Sequence, residues 1–126
     1  MTAAFALRPC HRLRRAADFE RIYRSGRRSG DALFGLNALP NDLGFARLGM
    51  SVSTRTVGNA VRRNRVRRII REVFRARRPA LPALDLVVTS RPAARAAVPS
   101  DIVDSLERLF GQAARQAGFA GPRHDG

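Results

Sequence analysis

Apolar side chains at Val66, Ile69, Ile70, Val73 and Phe74 recur three or four positions apart inside an otherwise basic stretch. That is the helical repeat, so the sequence predicts a core-facing helix over residues 57–78, roughly 30 Å long at about 1.5 Å per residue. On such a helix Asn64, Arg67, Arg68, Arg71, Arg75 and Arg78 share the side away from the core. Earlier in the chain, Phe19, Ile22 and Tyr23 mark a short helix over residues 16–25 with Gly26 as its stop signal. Residues 33–39 and 45–53 are strand-like on either side of the turn-forming residues 40–44, a pattern that predicts a hairpin. Residues 84–90 form a short apolar run bounded by prolines, hence a buried strand. Pro99, Ser100 and Asp101 open a last helix with Ile102, Val103, Leu106, Leu109, Phe110 and Ala113 as its apolar stripe.

The order helix, strand, strand, long helix, strand, helix implies an α+β fold: a small mixed β-sheet with three helices, in which residues 45–90 form a strand–helix–strand crossover. The length of 126 residues suits one domain with one modest core. We expect that domain over residues 12–117, with a flexible segment over 1–11 and a disordered tail over 118–126.

Charge changes the picture more than length does. The net charge is +14, and residues 55–78 hold ten of the 24 basic residues against one acid, Glu72. A solvated helix surface usually alternates sign. Here Arg63 with Arg67, Arg67 with Arg71 and Arg71 with Arg75 are like-charged neighbours, offset only by Arg68 with Glu72. Each like pair costs roughly 0.2–0.5 kcal/mol, which a packed domain absorbs, but the pattern suits a surface that meets a polyanion. All 24 basic residues are arginine. Coding bias explains the absence of lysine, and function explains the clustering.

Candidate catalytic groups are few. His11 and His124 lie in terminal segments, and Cys10 is the one cysteine, so neither a disulfide nor a cysteine-based zinc site forms within the chain. Asp101 and Asp104 fit the first turn of a helix better than a metal site. No protein catalytic residue and no bound metal are expected. The lone cysteine and the lack of a long apolar segment suggest a cytoplasmic protein with no membrane or small-molecule partner. The aromatics Phe19 and Tyr23, four apart on the first helix, and Phe34 in the first strand could stack on splayed bases.

Residues 57–75, VGNAVRRNRVRRIIREVFR, resemble the RNR signature of the protein subunit of bacterial ribonuclease P. The flanks agree in order: Arg12-Leu13, Asp18-Phe19, Tyr23 and Gly26 resemble the family's opening, residues 48–53 its strand before the RNR helix, and residues 85–92 its later strand and exit. The resemblance implies a fold like the second domain of ribosomal protein S5, with a left-handed crossover. It implies binding to the catalytic RNA through Arg62, Arg63, Asn64, Arg65, Arg67, Arg68 and Arg71. It further implies that Phe19, Tyr23, Phe34, Arg55 and Asn59 line a cleft for the 5′ leader of precursor tRNA. On this expectation the RNA, with its own Mg2+, removes the leader. The sequence departs from the family in having Thr54 before Arg55 where many members have lysine, and Asn37 where an aromatic is frequent. The alternative is an RNA-binding protein of ribosomes or their assembly, with no part in cleavage.

Overall fold

The computed structural model describes residues 9–123. After a 3₁₀ turn at Pro9–His11 come α1 (Ala16–Ser25), β1 (Arg27–Gly30), β2 (Phe34–Pro40), β3 (Arg47–Ser51), α2 (Thr54–Val57), α3 (Ala60–Arg77), β4 (Leu84–Ser90) and α4 (Pro99–Arg123). The four strands form one sheet in the order β1-β2-β4-β3. β4 runs antiparallel to β2 and parallel to β3. The mixed sheet and the β3–α3–β4 crossover are as expected, whereas the hairpin over residues 33–53 is not. β4 lies between its two arms, and the actual hairpin is β1 with β2. β1 reads Arg-Arg-Ser-Gly, with no apolar alternation to announce it.

Strand alternation divides the sheet into two faces. Phe34, Leu36, Leu48, Leu84, Leu86 and Val88 point to one side, where Val66, Ile70, Val73 and Phe74 of α3 and Ile102, Leu106, Leu109 and Phe110 of α4 complete the main core. Phe74 meets Phe110 edge to face at a centroid distance of 6.1 Å, and burying each ring contributes about 1.5–3 kcal/mol. The other face is covered only by α1 and the N-terminal segment, through a smaller cluster of Leu13, Ile22 and Val87 with Phe19 and Leu39 packed against it.

The basic helix is shorter than its charge run. Gly58 adopts φ +111°, a conformation that L side chains rarely take, and it separates α2 from α3. Asn59 then caps α3, its side-chain oxygen accepting from the backbone N–H of Arg62 at 3.0 Å. The helix expected from residue 57 therefore begins at Ala60. At the other end of the chain, α4 continues past Gly118, into the expected tail, and residues 124–126 lie outside the described residues. The expected flexible segment is likewise interrupted: residues 1–8 lie outside the described residues, but His11 is buried with its ring edge to face on Phe45. Leu13 follows, donating its N–H to the carbonyl of Leu48 at 2.8 Å.

Candidate nucleic-acid interface

α3 presents its arginines at two depths. Arg62, Asn64, Arg65 and Arg68 are exposed, while Arg63, Arg67 and Arg71 are half-buried along the flanks of the apolar stripe. The seven residues expected to meet RNA thus lie on one helix, within a surface that carries a single acid. Glu72 does not pair with Arg68 as its spacing suggests. It accepts from Arg75 at 2.7 Å, and that bond, then the charge of Arg75, holds its carboxyl below the usual range. Arg68 and Arg71 add smaller long-range attractions.

Elsewhere two acids are committed to the fold. Asp85 on β4 is fully buried. Arg47 donates to both of its oxygens at 2.8 Å, Arg21 of α1 donates at 3.0 Å, and the Asn41 amide donates at 2.8 Å. Burial would raise the carboxyl pKa, but the bonds from Arg47, Arg21 and Asn41 outweigh it and hold the group below its ordinary value. Asp31, in the β1–β2 turn, accepts from the backbone N–H groups of Leu33 and Phe34 and from Ser105 of α4. Its carboxyl is also lowered, those hydrogen bonds overcoming desolvation. Neither carboxylate is free for chemistry.

On the thinly covered face of the sheet lies an open cleft of about 420 Å³, lined by Tyr23, Arg28, Ser29, Gly35, Leu36, Asn37, Thr89 and Arg91. Tyr23 is 42% exposed and touches Phe19 edge to face at 6.3 Å. Phe19 is half-buried over the sheet, and a Cβ on Gly49 would come within 2.7 Å of its ring. Tyr23 gives the cleft an aromatic ledge beside a polar floor, while Phe19, expected in the lining as well, packs behind Tyr23 against the smaller core cluster.

Phe34 does not line the cleft either. Its side chain is fully buried in the main core, because alternation along β2 sends Phe34 and Leu36 to the helical face and Gly35 and Asn37 to the cleft. Arg55 is exposed on α2, and the Asn59 side-chain oxygen is occupied as the α3 cap; neither lines the cleft. Arg28 and Arg91 were missed by sequence reasoning. Arg91 follows β4 and donates to the backbone carbonyl of Asp31, and its guanidinium lies over Gly30 and Gly35, where a Cβ would approach to 2.8 and 3.2 Å. The signal was present in the glycines, which clear a flat floor for that group.

Comparison with known proteins bears on the family and the fold. The family model described as Ribonuclease P matches residues 7–114. The ribonuclease P protein component of Syntrophobacter fumaroxidans is 42% identical over 112 residues, covering 87% of this chain and 93% of the relative. That of Coxiella burnetii is 38% identical over 106 residues, covering 84% and 88%. Among solved structures, the Staphylococcus aureus RNase P protein superposes with a TM-score of 0.78 at 36% identity, covering 82% of this chain and 94% of that one. The Thermotoga maritima RNase P protein gives 0.73 at 28% identity, covering 80% and 96%.

Proposed function

We propose, from the premise that the chain belongs to the ribonuclease P protein family, that it binds the catalytic RNA through α3 and holds the 5′ leader of precursor tRNA in the sheet cleft. The observation that carries this reading is the pairing of two unlike basic surfaces on one small domain. α3 offers a row of arginines, and the cleft offers the aromatic ring of Tyr23 with Arg28 and Arg91 in its lining.

The division of labour follows from contacts each RNA would make. A leader in the cleft gains phosphate and stacking contacts that mature tRNA lacks, so affinity favours substrate over product. Arginines near the junction of two RNAs lower their mutual repulsion and reduce the magnesium needed to bring them together. Cutting the phosphodiester falls to the RNA and the magnesium it holds, while the hydrogen-bonded carboxylates Asp85 and Asp31 are engaged by the chain's own arginines and backbone. No helix among the described residues is long and apolar enough to cross a membrane.

Reconstitution tests the assignment. Purified chain added to the catalytic RNA should restore 5′ cleavage of precursor tRNA at a magnesium concentration where the RNA alone is idle. Cleavage at the mature 5′ end by RNA-free protein would overturn the assignment of chemistry to the RNA. Copurification with ribosomal RNA in place of one large structured RNA would support the ribosomal alternative instead.

A further inference from the structure

Between the N-terminal segment, the edge of β3 and the flank of α3 runs a second groove of about 300 Å³, on a different part of the molecule from the sheet cleft. Its lining is of two kinds. The half-buried Met50 forms an apolar floor, backed by the buried Leu13 and Leu48, and Arg12, Arg14, Arg67 and Arg71 stand around it. No acid lines the groove, and among the described residues none of these four guanidiniums forms a salt bridge or a side-chain hydrogen bond. The contrast with Arg21, Arg47, Arg75, Arg77 and Arg108 is sharp, since each of those is salt-bridged to a carboxylate. The Nε of Arg67 is buried without any partner. A buried donor left unmet costs free energy, and an acceptor arriving from outside would recover it.

We infer that this groove takes one unstacked nucleotide of the catalytic RNA, its base on the Met50 side chain and its flanking phosphates on Arg12, Arg14, Arg67 and Arg71. The inference rests on the reading of α3 as the catalytic-RNA surface and adds a pocket to it. A phosphate track alone has no use for an apolar floor, and an apolar ligand has no use for four unpaired cations. A nucleotide presents both chemistries at once, and the groove has the volume for a base with its sugar. The exposed arginines Arg62, Arg65 and Arg68 then serve the neighbouring backbone, while the half-buried Arg67 and Arg71 close over the extruded unit.

Two substitutions in one groove separate the possibilities. Binding of the full-length catalytic RNA is measured over a salt series for Met50→Ser, Met50→Leu and Arg14→Gln. A seated base predicts that Met50→Ser, by removing apolar contact area, weakens binding about tenfold with an unchanged salt slope. Met50→Leu should stay within about twofold of the parent. Arg14→Gln should weaken binding and flatten the log–log slope by about 0.7–0.9. Because Met50→Ser could act through stability, the exposed Cys10, two residues before Arg12, supplies a second readout in the unmutated chain. A photo-crosslinker attached there should mark one narrow position in the catalytic RNA. Parent-like binding by Met50→Ser, or crosslinks that scatter or fall on the precursor leader, would overturn the nucleotide pocket. If Arg68→Ala also binds as the parent does, the reading of α3 itself fails, which is a separate and recognisable outcome.

Discussion

On one side of the sheet Phe34, Leu36, Leu86 and Val88 disappear beneath α3 and α4; on the other, one strand position away, Gly35, Asn37, Asp85 and Thr89 carry a buried carboxylate and an open cleft. The same strands build both. The helical face is sealed by apolar burial, and it leaves the second face free to be polar without costing the fold its stability. α1 is held to that second face by the burial of Ile22 and Phe19 and by a charge hub, in which Asp85 ties Arg21 of α1 to Arg47 of β3. Stability and ligand access are thus segregated by the side-chain period of a strand.

The sharpest way to break this comparison is to treat residues of the two faces alike. Phe34→Ala should destabilise the free protein by about 3–5 kcal/mol in denaturant unfolding, as a core aromatic does. A variant that stays stable and instead loses precursor tRNA would return Phe34 to the cleft. Next in size is Asp85→Ala, which strands the Arg47 guanidinium and leaves Arg21 with Asp18 alone. Its cost should sit at the low end of about 3–5 kcal/mol, since Arg21 is partly exposed and can rehydrate.

The same hub predicts a pH dependence. The carboxyls of Asp85 and Asp31 lie below their ordinary values in the folded state, so their stabilisation is complete above about pH 4 and is lost as pH falls through the folded values. Thermal melts from pH 7 downward should show that loss. Asp85→Asn should flatten it, leaving the Asp31 part and a small one from the exposed Glu72; a variant with an unchanged acid limb would show that Asp85 does not drive it.

A smaller effect should appear at Tyr23. Tyr23→Ala should weaken precursor tRNA binding by about 1–3 kcal/mol while sparing mature tRNA and the melting temperature. Equal losses for both tRNAs would move Tyr23 from the cleft to the scaffold.

The finest test compares two asparagines on α3. Asn59→Ala removes the helix cap and should cost about 1 kcal/mol of stability. Asn64→Ala, at an exposed helical position, should gain a few tenths of a kcal/mol, up to about 0.7, yet weaken binding to the catalytic RNA. If Asn64→Ala melts higher and binds equally well, the arginines alone carry that surface.

Legibility in the sequence followed the physics of each element. α3 and α4 announce themselves because apolar side chains recur at helical spacing over several turns. β1 was invisible because Arg27, Arg28, Ser29 and Gly30 bury little and alternate nothing. The false hairpin arose because Phe45 to Ser53 follows its neighbour after a short turn, and nothing local reveals that β4 will insert between them. Phe34 was misplaced because an aromatic in a strand reads as a stacking residue until its face is known. Gly58 and Asn59 spelled a helix boundary, a stop followed by a cap, but the continuous charge run drew attention across it. The Asp85 hub joins residues from α1, β3 and β4 with Asn41, and no spacing rule encodes such a meeting.

The position of β4 between β2 and β3 also sets an order of events during synthesis. β1 and β2 can zip together as soon as they emerge, but β3 has no partner among the named strands until Leu84 to Ser90 is made. At about 5–20 residues per second, the interval between Ser51 and Ser90 is several seconds. The most basic helix of the protein is translated within that interval, before the sheet it packs on exists. Closing the sheet is therefore a late, long-range step, of the kind that slows folding relative to local helix formation, and the core of this domain is completed from its C-terminal half backward.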